Sequence, residues 1–337
     1  MPAAPLYDLA DRLYQLAPWQ SMDENQIIRV IHPATGESGY VSIMGALGTH
    51  RCLAVYLGEE ALHRFNYMQG DDPDDPAVPK EDSIMMVLET RQIQIAFDVR
   101  AELRKDELAE IKQLGRKYRG ECWPAFRSYH PGRAPGPLSE TDAVWLTHAM
   151  TQFLEVFPML AADPCAYFRL VPGSTESDIL TRECVAGEWR SVWTPFDGHS
   201  FEYPTPEPDP ALIQAIIGIE RLVDVECHFK LLPSPVGPHR GDAFFPYLAI
   251  SADAQSGLVL GFDILSTEKQ TFAHLVASVP DVFLHQWITA GIRPASLRVA
   301  TITTYSMLEI AAADLNTPMR RGDRLPVIDH LMQSMPF

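Results

Sequence analysis

The stretch YLAISADAQSGLVLGFDIL, residues 247–265, decides how the second half of this chain folds. One apolar run reaches the polar turn DAQSG, residues 253–257, and a second apolar run leaves it. Two apolar runs joined by a short turn that ends in Gly predict a β-hairpin with buried strands. A strand over 223–232 precedes the hairpin. Further elements follow it: a helix over 269–290 interrupted at Pro280, a strand over 297–302, and helices over 305–315 and 325–335.

The length of 337 residues exceeds what most single cores accommodate, so two domains are expected. Alternating prolines in YPTPEPDP, residues 203–210, predict an extended linker between them. We therefore predict an α+β domain over 1–200, a Pro-rich linker over 201–211 and an α/β domain over 212–337. Within the first domain, the patterns predict strands at 84–89 and 92–98, a helix over 107–118, an irregular loop over 122–137 and a helix over 141–157.

The order strand, hairpin, helix, strand, helix is that of the ribonuclease H-like core. The segment SADAQSGLVLGF, residues 251–262, resembles the second and third strands of integrase and transposase cores. This resemblance covers about residues 220–337. It implies a mixed sheet with a leading antiparallel hairpin flanked by helices, and a catalytic centre of carboxylates that hold two Mg²⁺ ions.

The carboxylates needed for that centre are incomplete in the sequence. The first strand offers Asp224 or Glu226, and the late helix offers Asp329. The fourth strand, LRVATITTYS, offers only threonines, and Asp253 suits a turn residue. We therefore expect a catalytically silent core in which Asp224, Glu226 and Asp329 are surface or capping residues. Asp224, Glu226, Asp253 and Asp329 remain weak metal candidates, and no metal or other cofactor is expected.

Across most of its length the chain resembles a group of bacterial proteins that consist of two adjoining domains of unknown function. The N-terminal match lies in YVSIMGALGTHRCLAVYLGEEAL, residues 40–62, and in FRSYHPGRAP, residues 126–135. The C-terminal match lies in the hairpin, in GIRPASLRV at 291–299 and in LPVIDHLM at 325–332. The resemblance implies the organisation of the chain and no activity.

A basic segment interleaved with aromatic residues stands out in an otherwise acidic chain. Its side chains are predicted to follow one helical stripe and the FRSYHPGR segment after it. Arg beside aromatic rings suits the recognition of phosphates and carboxylates. The alternative is a solvated helix face followed by a loop packed by its own aromatics. The candidate anion- or partner-binding residues are Lys112, Arg116, Arg119, Arg127, His130 and Arg133.

Several other classes are disfavoured. A net charge of −17 argues against broad nucleic-acid binding. Cys227, His228, His239 and Asp242 are close in sequence, but adjacent strand residues point to opposite faces, which opposes a zinc site. The acidic segment 71–82 lacks the calcium-loop pattern. Five dispersed cysteines, with neither a signal peptide nor a membrane span, predict a soluble cytoplasmic protein.

The sequence favours a cytoplasmic, non-enzymatic binding or accessory module with a protein partner or an anionic small-molecule partner. One alternative is a metal-dependent nuclease or phosphodiesterase of the ribonuclease H-like type. A second alternative is a homo-oligomeric scaffold whose apolar edge strands pair. The oligomeric state and the identity of the ligand stay open at this point.

Overall fold

The computed structural model describes residues 4–70, 80–237 and 243–334. The described residues form two compact units. The first contains residues 4–70, 89–130 and 135–201, and the second contains 80–88, 131–134, 202–237 and 243–334. The helices are α1 Ala4–Leu16, α2 Glu59–Met68, α3 Lys80–Glu89, α4 Lys105–Gln113, α5 Glu140–Ala162, α6 Pro210–Ile217, α7 Phe272–Ala290, α8 Ile302–Asp314 and α9 Pro326–Ser334. None of these described helices has both the length and the apolar character that crossing a bilayer requires.

The first unit is built on a mixed eight-stranded sheet with the order β5-β4-β3-β2-β1-β7-β6, in which β8 pairs with the other edge of β7. Only β1 and β7 run parallel among its described pairs. The strands are β1 Ile28–Ile31, β2 Ser38–Met44, β3 Cys52–Leu57, β4 Gln92–Asp98, β5 Trp123–Tyr129, β6 Phe168–Leu170, β7 Ser177–Val185 and β8 Glu188–Pro195.

Helices cover both faces of this sheet. The main core joins α1 and α5 to the strands, with Tyr7 and Phe153 among its fully buried side chains. On the opposite face, α2 packs Leu62 against the tyrosines of β2 and β3. A Cβ at Gly39 would lie 2.5 Å from the ring of Trp145, so Gly39 is what allows α5 to approach β2 closely.

The first turn of α5 is fastened by a buried carboxylate. Asp142 accepts hydrogen bonds from its neighbour Ser128 Oγ at 2.9 Å and from the guanidinium of Arg91, while its backbone N–H donates to Ser139 Oγ at 3.0 Å. Burial acts to raise the pKa of Asp142. Arg91 and the hydrogen bonds of the serines outweigh that effect and hold the pKa below its usual range.

The second unit contains a mixed five-stranded sheet with the order β11-β10-β9-β12-β13. Strand β10 is antiparallel to both β9 and β11, whereas β12 runs parallel to β9 and β13 parallel to β12. Helices α6, α7 and α8 pack on one face, and α9 packs on the other. The strands are β9 Leu222–Leu231, β10 Tyr247–Asp253, β11 Val259–Leu265, β12 Arg293–Val299 and β13 Met319–Arg321.

The predicted hairpin is present as β10 and β11. Asp253 accepts from the backbone N–H groups of Gln255 at 2.8 Å and Ser256 at 3.1 Å, and so closes the turn. Gln286 of α7 lies against the hairpin and accepts from Ser251 Oγ at 2.6 Å. A Cβ on Gly261 would lie 2.6 Å from Gln286 Cγ, which explains the glycine at this position. The hairpin therefore anchors α7 to the sheet.

The structure corrects several predicted elements. Residues 84–89, predicted as a strand, belong to α3. The prediction was wrong because a short apolar run is compatible with both a buried strand and a buried helix. The predicted loop 122–137 contains β5, which pairs with β4 over seven positions. No local sequence pattern indicates this strand. The predicted helix 107–118 is α4 and ends at Gln113, so the basic helical stripe is broken. Helix α7 continues through Pro280, which is buried between core residues of the same helix. Residue 302 begins α8 rather than ending a strand.

Candidate functional site

The site lies on the face of the second sheet that also carries α9, and it extends over β9, β12 and the edge strand β13. Ser296 pairs in register with Asp224, and Arg298 pairs with Glu226 on one side and with Arg320 on the other. A cavity of about 520 Å³ opens over these positions. We call it the β12–β13 cavity. Its lining residues are Asp224, Val225, Ala254, Gln255, Ser296, Arg298, Pro318, Met319 and Arg320.

The floor of the cavity holds a fixed carboxylate. Asp224 accepts hydrogen bonds from Ser296 Oγ at 2.6 Å and from Gln255 Nε2 at 3.0 Å. The hydrogen bond from Ser296, followed by the one from Gln255, lowers the pKa of Asp224 below its usual value. The carboxylate is therefore ionised at neutral pH and orients both the hydroxyl and the amide.

Two guanidinium groups stand beside that carboxylate. The side chain of Arg298 is 33% exposed, and its Nη1 lies 3.9 Å from Glu226 Oε1, which is a long ion pair. Arg320 is exposed on β13 and forms no ion pair with another described residue. Both guanidiniums thus keep donors for a ligand, and each presents them in the planar fork that matches carboxylates and phosphates.

Glu226 has a structural task. Its side chain is 1% exposed, and its Oε2 accepts from the backbone N–H groups of Val327 at 3.0 Å and Ile328 at 3.1 Å. These donors are in the first turn of α9, where backbone N–H groups have no partner inside the helix. Glu226 is therefore a capping residue, as one of the sequence alternatives held, but it caps from the sheet and is buried.

The four candidate carboxylates do not fit a two-metal centre. Asp224, Glu226 and Asp253 each have at least one carboxylate oxygen engaged by the donors named above, and Asp329 Oδ2 accepts from the backbone N–H of Leu325 at 3.2 Å. Across the described ranges, no three His, Cys, Asp or Glu side chains are grouped so as to hold a metal ion. We accordingly derive no metal-dependent step for this face.

Two of the residues considered as zinc ligands, Cys227 and His228, lie on opposite faces of the second sheet. Cys227 is buried on the side of the sheet that faces α7 and α8. Its neighbour His228 borders a second cavity, on the face that carries α9. His239 and Asp242 lie outside the described residues.

Two of the six basic candidates form ion pairs within the first unit, and two others in that unit are exposed. Arg116 pairs with Asp8 and with Asp11, and Arg127 Nε donates to Glu107 at 3.4 Å. These arginines therefore fasten elements of the first unit. Lys112 is exposed on α4, and Arg119 is exposed beyond its end.

The other two candidates form hydrogen bonds, one with a residue close in sequence and one with a distant residue. His130 Nε2 lies 3.2 Å from Ser128 Oγ. Ser128 donates its proton to Asp142 and is only 2% exposed, so these three residues do not make a hydrolytic triad. Arg133 belongs to the second unit and donates to the carbonyl of Thr267 at 3.3 Å.

Sequence reasoning missed Arg298, Arg320 and their neighbour Ser296. The available signal was PMRRGDR, residues 318–324, which places three arginines within seven residues of an acidic chain. A second cavity of about 650 Å³ lies on the same face beside α9, lined by His228, Lys230, Arg324, Pro326, Asp329, His330, Met332 and Gln333. Cationic side chains thus recur along this face.

Comparison with protein families gives a match over each half of the chain. Residues 4–181 match the family described as Domain of unknown function (DUF7309), and residues 219–336 match the one described as Domain of unknown function (DUF6930). Comparison with curated proteins gives no match. The resemblance to proteins made of two adjoining domains of unknown function is confirmed.

Proposed function

This chain belongs to the family described as Domain of unknown function (DUF7309). That family description states no activity, so the function has to be inferred from the side chains. We propose that the protein is a non-enzymatic module whose second unit binds an anionic ligand. The ligand occupies the β12–β13 cavity. The observation that carries the proposal is the pairing of Arg298 with Arg320 on adjacent strands at the mouth of that cavity.

The spacing of the two arginines suits a single anionic group. Neighbouring strands lie about 4.8 Å apart, so two guanidiniums at paired positions reach the oxygens of one carboxylate or phosphate. Ser296 and Gln255 add a hydroxyl and an amide beside Asp224, which suit hydroxyl groups on the same ligand. A volume of about 520 Å³ is in the range of small-molecule sites.

The proposal includes a ribonuclease H-like fold for the second unit. Its support is the strand order, with three antiparallel strands followed by two strands parallel to the first. At the end of β12, where the metal-dependent members place a carboxylate, this chain has Thr301. Its hydroxyl accepts from the backbone N–H of Thr304 at 3.1 Å and so caps α8. This replacement favours binding over phosphodiester cleavage.

Five free cysteines, two of them buried, support a reducing location such as the cytoplasm. The scaffold alternative rests on a different observation. The edge strand β11 exposes Phe262 to 64% and Ile264 to 54%, and a second copy offers an identical apolar edge.

Titration with inorganic phosphate and with citrate, followed by thermal shift and NMR, tests the anion site. Each charge-assisted hydrogen bond contributes about 1.5–3 kcal/mol, so Arg298→Gln and Arg320→Gln are each expected to weaken binding about tenfold or more. The control is Arg321→Gln, which removes an exposed arginine from the next position of β13 without touching the cavity face. Equal affinity in all three variants, or no response to either anion, contradicts the proposal.

A further inference from the structure

We propose that the occupant of this site is an extended acidic peptide, which adds to β13 as a further strand of the sheet. The inference rests on the proposed anion site and names the class of partner that uses it. Its carboxylates contact Arg320 and Arg298 in the β12–β13 cavity, and its backbone pairs with the outer edge of β13.

The first support is the open edge of the sheet. In the described part of the chain, β13 pairs with β12 alone. Leu297 N–H donates to the carbonyl of Pro318, and Gly322 N–H donates to Val299. Alternate residues of a strand direct their peptide groups to opposite sides, so Met319 and Arg321 turn theirs away from β12. Those two residues supply the donors and acceptors that an added strand needs.

The second support is the arrangement of charge along this edge. Arg320 lies on the cavity face next to Arg298, and Arg321 extends from the opposite face of the same strand. An added strand alternates its own side chains in the same way. Acidic side chains at successive positions therefore meet an arginine on both faces of the sheet.

The same charges decide between occupants. A second copy of this chain paired along β13 would place arginine opposite arginine, and like charges directly opposite one another are destabilising. A single-stranded nucleic acid gains affinity from stacking on aromatic rings, but the lining of the β12–β13 cavity contains no aromatic side chain. An acidic peptide with β-forming residues meets none of these obstacles at the edge itself.

The probe is a fluorescent heptapeptide with two adjacent central glutamates between valine and threonine residues, so that one carboxylate extends to each face of the added strand. It is titrated into the full-length protein by anisotropy. Two analogues separate backbone pairing from simple charge attraction: one is N-methylated at the even positions and the other at the odd positions. Because only one set of N–H groups faces β13, we expect one analogue to bind at least tenfold more weakly and the other to bind like the parent. Arg320→Gln and Arg321→Gln should both weaken the parent peptide, whereas Lys269→Gln, on an exposed turn, should not.

Equal binding of the two methylated analogues overturns the inference, because strand addition requires the asymmetry. Tighter binding of an oligothymidylate than of the peptide also overturns it. Phosphate and citrate distinguish this failure from failure of the anion site: if they still bind through Arg298 and Arg320 while the peptide shows no asymmetry, the proposed function stands and the peptide does not. Melting temperatures of the variants, compared with the parent, establish that each one is folded.

Discussion

Glu226 allows a quantitative prediction about the architecture that supports the site. Replacing it with alanine removes the acceptor of two backbone N–H groups, at 3.0 and 3.1 Å, inside a region where the side chain is 1% exposed. Leaving a buried donor without a partner costs about 1–3 kcal/mol, so the loss of the acceptor for two donors in Glu226→Ala is expected to lower the stability of α9 against β9 by about 2–6 kcal/mol. Glu226→Gln keeps an acceptor oxygen and loses the charge at the helix N-terminus, which costs only about 0.3–2 kcal/mol.

Native-state hydrogen exchange on the whole protein measures this effect locally, which matters because two units need not unfold as one. The amides of α9 and of the strands beneath it should exchange faster in Glu226→Ala, while amides of the first unit keep their protection. Glu309→Ala, on the exposed surface of α8, is the control. A loss below about 0.5 kcal/mol for Glu226→Ala, the size of an ordinary surface substitution, would refute the capping role.

Three further outcomes are expected. Gly261→Ala should lower the melting temperature, because its Cβ meets Gln286 Cγ at 2.6 Å and overpacking costs about 1–3 kcal/mol. The lowered folded-state pKa of Asp142 stabilises the first unit above the unfolded value of about 3.9. That stability is lost as pH falls through the folded pKa. In Asp142→Asn, the free energy of unfolding measured with urea should therefore change less between pH 6 and about pH 3 than it does in the parent protein. If β11 mediates self-association, Phe262→Lys should reduce the solution mass in light scattering; a monomeric parent protein excludes the scaffold.

The second sheet was largely predictable because its signals are local. The apolar runs around residues 253–257 and the alternation over β9 are both present as strands of the second sheet. By contrast, β13 has three residues and pairs in parallel with β12, so no sequence window of its own marks it. An edge strand of that length is specified by its neighbour.

The candidate site was missed for a related reason. Arg298 and Arg320 are far apart in sequence, and only the parallel pairing of two strands places them side by side. Two of the arginines that the sequence did favour are neutralised by acids from other parts of the chain: Arg116 meets Asp8 across 108 residues, and Arg127 meets Glu107 across 20. A basic cluster in sequence is therefore a poor guide to a basic surface when the acids that pair with it are contributed by other elements.

The contact between Glu226 and the start of α9 also has a consequence for synthesis. The carboxylate and the first N–H that it accepts are separated by 101 residues. At about 5–20 residues per second, a ribosome takes roughly 5–20 s to make that interval. During this time Leu248 and Ile250, the apolar side chains of β10 that α9 later covers, are not yet covered by that helix. The nascent second unit is therefore a candidate for chaperone binding until α9, its last described helix, has been synthesised. Glu226, which was synthesised earlier, can then accept the first N–H groups of that helix.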